Sequence, residues 1–197
     1  MEVLSDKEPQ VRARAIRMLG LLEDDGDFLE ENDSNTIMCM VMDKDSDVAQ
    51  EAASYAYKSS ISRSLSQKLA GKKVAKGSSN PSLVIRRFLE CVVMVAGKKN
   101  APFKDASENI VQMLFHSTKM LHDMSLISSI LLNEGNLSDN EMLAAVWTIK
   151  SCLQIAATGF VLENRCERKL TKAQLKDYTE IHENMTKQLL KVLPPMI

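Results

Sequence analysis

The chain of 197 residues has few aromatic side chains, few glycines and few prolines. Aromatic residues make up 5% of it, and it contains only 7 Gly and 5 Pro. A fold of many short strands draws on aromatic residues and needs many turns, so this composition argues against one. The apolar residues that remain are mostly Leu, Val, Ile, Ala and Met, and they predict an all-α protein.

An excess of charge of either sign is also missing. The formal net charge is -1, so attraction to nucleic acid would need a local patch of basic residues. The cysteines lie far apart without a C-x-x-C pair, which favours reduced thiols. No apolar run approaches the roughly 18 to 20 residues of a membrane span, and the first residues do not resemble a signal peptide. The sequence therefore predicts a cytosolic or nuclear protein.

Sequence motifs of catalysis and metal binding are absent. There is no phosphate-binding loop, no G-x-S-x-G segment and no paired Cys/His signature. His116, His122 and His182 do not have the spacing of metal ligands. We therefore expect a non-enzymatic protein without metal or cofactor. A helical-repeat enzyme or regulatory enzyme subunit is the alternative, which a screen for bound metal or cofactor would detect.

One segment near the start of the chain occurs twice. Asp6–Ala15 aligns with Asp43–Ala52 at an offset of 37 residues, and both copies begin with Asp-Lys. The period is close to the roughly 40 to 47 residues of HEAT and armadillo units, in which this segment would open the second helix of a pair. The acidic turn supplies helix caps, so we expect Pro9 in the first turn of one helix and Ser46 as N-cap of the other.

Apolar residues then recur at helical spacing in both copies and predict one buried face for each helix. The predicted stripes are Val11, Ala15, Met18, Leu19 and Leu22 in the first copy, and Val48, Ala52, Tyr55 and Ala56 in the second. We interpret these residues as core and not as ligand contacts.

Further helix starts are visible downstream. Asn80 and Pro81 open one helix, and Ser138–Glu141 and Thr171–Gln174 are capping-box patterns that open two long ones. The buried stripe expected after Ser138–Glu141 consists of Met142, Val146, Ile149, Leu153 and Ala156. In total the pattern indicates about nine helices.

The predicted architecture is a HEAT-repeat-like α-solenoid in three parts. Residues 1–70 form HEAT-like helical repeats, 71–80 form a flexible basic linker because of their Gly, Ser and Lys content, and 81–197 continue the solenoid.

Eight basic residues surround the predicted linker. We define them as the basic patch: Lys68, Lys72, Lys73, Lys76, Arg86, Arg87, Lys98 and Lys99. Clustered Lys and Arg neutralise phosphates, and no aromatic residue is interleaved for base stacking, so the patch predicts DNA-backbone contact without base specificity. A solvated flexible loop is the alternative interpretation.

Several separated segments carry a resemblance to a known family. They are Ile127–Asp139 (ISSILLNEGNLSD) with the long helix after it, Arg168–Thr171 (RKLT), and Val192–Pro194 (VLP). Together with the two Asp-Lys helix starts, their order and spacing resemble the middle region of the stromalin (stromal-antigen) family, the HEAT-repeat subunit of cohesin. The resemblance covers most of the chain, with only a loose match over Ile61–Ala101. The alternative explanation is that these segments show only the sequence pattern common to HEAT repeats.

The resemblance implies a non-enzymatic scaffold of cohesin that acts in the nucleus, on chromosomes, in sister-chromatid cohesion and chromosome segregation at mitosis and meiosis. Its implied partners are the kleisin subunit, the cohesin core ATPase complex, loading and release factors, and DNA through its backbone, with no membrane. The family's partner-reading Trp and Arg correspond to Glu2 and Asn32 here, so that activity is not carried over. A generic HEAT-repeat adaptor that binds proteins outside chromosomes is the alternative function.

Overall fold

A computed structural model of the chain describes residues 2–24, 29–69, 81–132, 137–159 and 171–192. The described residues form eight α-helices and three short 3-10 helices without a strand, which confirms an all-α protein for this part of the chain. The helices are α1 (Pro9–Asp24), α2 (Glu31–Cys39), α3 (Ser46–Leu69), α4 (Pro81–Lys99), α5 (Phe103–Leu114), α6 (Met124–Leu132), α7 (Asp139–Thr158) and α8 (Lys172–Val192). None of them is long and apolar enough to cross a bilayer.

The helices belong to two compact units, Met1–Pro102 and Phe103–Ile197, and each is described by itself. The linker predicted at 71–80 lies outside the described residues. In the first unit α3 packs against α1, α2 and α4, and α2 also packs against α4. The core of this unit includes Ile16, Ile37, Val41, Ile85, Leu89 and Val92.

The repeat seen in the sequence is also a repeat of local structure. Helices α1 and α3 begin at matching positions, and each follows a 3-10 helix, Glu2–Ser5 in the first copy and Met40–Met42 in the second. In the first turn the Asp6 carboxylate accepts a hydrogen bond from the Glu8 N–H at 2.8 Å. In the second, the Asp43 carboxylate accepts one from the Asp45 N–H at 2.9 Å.

The cap of α3 differs from the expected one. The Asp45 carboxylate accepts hydrogen bonds from the N–H groups of Asp47 at 3.0 Å and Val48 at 3.1 Å. Ser46 is already the first helical residue. The expectation that Ser46 is the N-cap is therefore wrong by one position, because the Asp45 side chain already accepts hydrogen bonds from the free N–H groups of the first turn.

The two predicted stripes have different surroundings. In α3 all four residues are buried, as predicted. In α1, Val11, Met18 and Leu22 are exposed, while Ile16 and Gly20 face the core. The other two residues of the first stripe, Ala15 and Leu19, are half-buried, so the pattern is core in the second copy and largely exposed in the first.

The ends of α3 and α4 follow local chemistry. Helix α3 runs from Ser46 to Leu69 without a break, up to the edge of the predicted linker. Helix α4 begins at Pro81, as predicted, and ends at Lys99. Asn100 then adopts a left-handed backbone (φ 47°), a conformation that asparagine tolerates better than most residues.

In the second unit α7 packs against α5, α6 and α8, and α8 also packs against α6. The capping box predicted at Ser138 is present, with the Ser138 N–H donating to the Glu141 carboxylate at 2.7 Å. Gly159 ends α7 in a left-handed conformation (φ 86°). Gln188 of α8 accepts the Met124 N–H at 2.7 Å, so one helix supplies a cap for the start of another.

The buried face of α7 is not the predicted one. Small side chains fill it: Ala144, Ala145, Thr148, Ser151, Cys152 and Ala156, together with Ile155. From the predicted stripe, Met142 is 38% and Val146 50% exposed, and only Ala156 is buried. The prediction was wrong because it followed the larger apolar residues, whereas small ones allow a neighbouring helix to approach closely.

Four aromatic rings connect α8 to the chain after α5. Phe115 is fully buried, 4.5 Å from the His122 ring and 6.4 Å from the Tyr178 ring, measured between centroids. The Tyr178 hydroxyl lies 2.6 Å from Nδ1 of His116. Burial lowers the pKa of His116, and the nearby His122 lowers it further. We call these four residues the aromatic cluster.

Candidate functional site

An open cleft of about 680 Å³ lies in the first unit. Its walls come from the 3-10 helix Glu2–Ser5 with the turn after it, from α2 and the 3-10 turn that follows α2, and from the end of α4. The polar side chains in its lining include Asp6, Arg12, Asn32, Asn35, Thr36, Asp43, Lys98 and Lys99. The cleft thus lies where the two repeated turns meet.

Arg12 holds the two turns together at this cleft. Its Nη1 donates to the Asp6 carbonyl at 2.8 Å, and its Nη2 donates to both Asp43 carboxylate oxygens, at 3.1 and 3.2 Å. The side chains of Arg12 and Asp43 are only 15% and 20% exposed, so solvent screens this pair less than a surface pair. A charge-assisted contact of this kind fixes orientation, and here it fixes one turn relative to the next.

A second ion pair links α1 to α3 and lies outside the lining of the cleft. Arg17 of α1 donates through Nε to the Glu51 carboxylate of α3 at 3.0 Å. Its hydrogen bond with Glu51 raises the pKa of Arg17. The Arg17 side chain is mostly exposed, so we assign it a smaller share of the stability than Arg12.

Two members of the basic patch, Lys98 and Lys99, line the cleft. Both are exposed in the last turn of α4, where the helix dipole favours positive charge. Burial raises the pKa of the nearby Cys39 thiol, and the positive charges of Lys99 and Lys98 oppose that rise. The cleft therefore has a cationic rim above a protonated thiol.

The other described members of the basic patch are arranged differently. Arg86 and Arg87 both pair with Glu90, at 3.8 Å and 2.5 Å. They precede Lys98 and Lys99 by about 18 Å along α4, given the rise of an α-helix. The structure therefore does not bring these arginines to the cleft, and Glu90 offsets part of their charge. Lys68 lies on α3, and Lys72, Lys73 and Lys76 fall outside the described residues.

The cleft also contains polar residues that do not belong to the predicted basic patch. Asn32 and Asn35 place carboxamides on the α2 wall, where the Thr36 hydroxyl donates to the Asn32 carbonyl at 2.8 Å. Arg12 gave one signal that could have been read, because the matching position of the second copy is Ala49. Asn32 was noted only as the residue at the position of the family's partner-reading Arg, and Asn35 gave no signal, since Asn is common in exposed turns and helix starts.

The lining of the cleft offers several hydrogen-bond donors. Lysine ammonium groups and carboxamides donate hydrogen bonds to carboxylates or phosphates. Within the described ranges, no three His, Cys, Asp or Glu side chains are grouped so that they could hold a metal ion. We therefore treat the cleft as a candidate surface for an anionic partner.

Comparison with known proteins adds no relative: no family model, curated protein or solved structure matches this chain.

Proposed function

We propose that the chain is a non-enzymatic HEAT-repeat scaffold of cohesin, related to the stromalins, that binds the kleisin subunit and the DNA backbone in the nucleus. The observation that carries the proposal is the Arg12–Asp43 contact between consecutive repeated turns. In a solenoid each repeat contacts its neighbours, and a side chain of one repeat bound to the turn of the next is a contact of this kind.

Local geometry supports the repeat further. Both turns hold their Asp carboxylate in the same way, and both lead from a 3-10 helix into an α-helix, α1 in the first copy and α3 in the second. The order of the Ile127–Asp139, Arg168–Thr171 and Val192–Pro194 segments supports the stromalin relationship. Binding of partners along a surface of stacked helices is the usual work of such repeats.

The proposed DNA contact rests on the rim of the cleft. Lys98 and Lys99 are adjacent in sequence, exposed, and free of any salt bridge to another described residue. Such ammonium groups attract phosphate without base specificity. The partner side of the proposal rests on the polar lining below them.

A binding experiment with the kleisin subunit tests the proposal directly. We expect the full chain to retain purified kleisin in a pull-down and to leave an unrelated acidic protein of similar size unbound. Retention of kleisin without retention of that acidic protein would show that the binding is specific. Failure to retain kleisin, with retention of proteins from outside chromosomes, would instead favour the generic HEAT-repeat adaptor.

Charge reversal at the cleft rim is expected to weaken DNA binding. With Lys98→Glu and Lys99→Glu together, we expect duplex DNA affinity to fall by about tenfold or more, and the slope of log affinity against log salt to shrink by about 2, because two phosphate contacts are lost. A mobility-shift titration at several salt concentrations measures both quantities.

The matched control reverses two exposed lysines of α8, Lys172→Glu and Lys176→Glu, which changes the net charge equally. If both double variants weaken binding to the same extent, the effect belongs to net charge and not to the cleft. Unchanged affinity in the Lys98/Lys99 variant would remove the DNA-binding role from this rim.

A further inference from the structure

The outward side of α1 carries apolar residues whose counterparts in α3 are core. Val11, Met18 and Leu22 are 39%, 64% and 52% exposed. At the offset of the repeat they correspond to Val48, Tyr55 and Ser59, which are 0%, 2% and 2% exposed. We call Val11, Met18 and Leu22 the outer face of α1.

Tyr55 shows what covers this face in the second copy. Its hydroxyl donates to the Ser34 hydroxyl of α2 at 3.0 Å. Its ring lies against α1, where a Cβ on Gly20 would be 3.6 Å from Tyr55 Cδ2. Tyr55 therefore lies between α2, which belongs to its own repeat, and α1, which belongs to the repeat before it. By the repeat, Met18 is the residue that would lie in the same position.

The charges around the outer face follow the same correspondence. Asp43 accepts a hydrogen bond from Arg12, and Glu51 accepts one from Arg17. Both arginines belong to the repeat before. The counterparts of Asp43 and Glu51 are Asp6 and Arg14, which are exposed and form no salt bridge with a described residue. A repeat that covered the outer face would thus meet an acidic side chain, Asp6, at one end of this face and a basic one, Arg14, farther along α1.

We infer that the outer face of α1 is a docking surface for a helical hairpin of the same repeat class, which packs on α1 as the pair α1 and α2 packs on α3. The hairpin presents a basic side chain to Asp6 and an acidic one to Arg14. This inference rests on the proposed solenoid, because it takes the contacts of the second copy as the rule for the first.

Tandem duplication of residues 6–42 ahead of Asp6 tests the inference within the full chain. The added unit offers its own α1-type and α2-type helices to the outer face, and its copy of Arg12 to Asp6. We expect the unfolding midpoint to rise by about 5 °C or more, and amide hydrogen exchange in the original α1 to slow by about tenfold. A duplicated chain that unfolds at or below the parental midpoint would overturn the inference.

Met18→Lys separates docking from a general effect of the added length. In the parental chain the lysine lies in solvent, so we expect a midpoint change of about 1 °C or less. In the duplicated chain, with the substitution in the original copy, it would place a charge in the new interface and remove most of the gain. Equal effects in both chains would contradict docking on this face.

Arg14→Glu tests the predicted charges. In the duplicated chain Arg14 faces the added copy of Arg17, so the substitution exchanges repulsion for an ion pair like Arg17–Glu51. We expect it to raise the midpoint of the duplicated chain and to leave the parental midpoint nearly unchanged. The same shift in both chains would overturn the proposed register. Neither result depends on kleisin or DNA, so failure here is distinguishable from failure of the cohesin proposal.

Discussion

Phe115→Ala is expected to lower the free energy of unfolding of the second unit by about 3 to 5 kcal/mol. Phe115 has no exposed surface and packs against His116, His122 and Tyr178. Truncation removes this apolar burial and leaves a cavity that the three neighbouring rings cannot fill without losing their own contacts. Guanidinium denaturation followed by fluorescence measures the change, because the single Trp of the chain, Trp147, lies in α7 of the same unit.

The control for this substitution is Val146→Ala, on the exposed side of α7. It removes apolar atoms of the same unit from a half-exposed site, so we expect a loss of under about 0.5 kcal/mol. A loss of less than about 1 kcal/mol for Phe115→Ala would contradict the assignment of the aromatic cluster as the centre that holds α8. Phe115→Leu, which fills more of the space, should recover part of the loss.

The sequence predicted helix type and helix starts well, because those depend on nearby residues. Pro9 and Pro81 begin helices, and Ser138 forms its capping box. Each of these signals involves backbone groups within about one turn of the residue, so no knowledge of the rest of the fold is needed. The exception, Asp45 in place of Ser46, arose where several capping residues stand side by side.

Which face of a helix is buried could not be predicted as well, because that depends on neighbours far away in sequence. The stripes of α1 and α3 have the same pattern, yet Met18 is exposed and Tyr55 is buried between α1 and α2. In α7 the larger apolar residues pointed to one face, while Ala144 and Ala145 form the packed one. Periodicity identifies an amphipathic helix, but where small residues permit close packing they can outweigh larger ones.

The residues of the candidate site could be predicted only in part, again because neighbours distant in sequence decide which side chains lie together. Lys98 and Lys99 stood out as adjacent charges, and they do line the cleft. Arg86 and Arg87 stood out equally, but Glu90 one turn away pairs with both. Asn32 lies on the wall only because α2 packs beside the end of α4. Charge can be counted in a sequence, whereas the groups that share a cleft are fixed by tertiary packing.

Arg12→Ala is expected to cost the first unit about 2 to 3 kcal/mol in free energy of unfolding. The substitution removes the two hydrogen bonds to the Asp43 carboxylate and those to the Asp6 and Lys7 carbonyls, and it leaves Asp43 mostly buried without this cation. Thermal unfolding followed by circular dichroism at 222 nm measures the loss. Arg17→Ala in the same helix is the control, and its exposed ion pair with Glu51 predicts a clearly smaller change.

A double-mutant cycle separates the contact between the turns from the other effects of losing Arg12. If Arg12 acts through Asp43, the double variant Arg12→Ala with Asp43→Asn should be more stable than the sum of the two single losses predicts, by about 1 kcal/mol or more. Additive losses would mean that Arg12 stabilises α1 only through its own turn. The Arg12–Asp43 contact would then not link one repeat to the next, which would contradict the proposed stacking of the repeats into a solenoid.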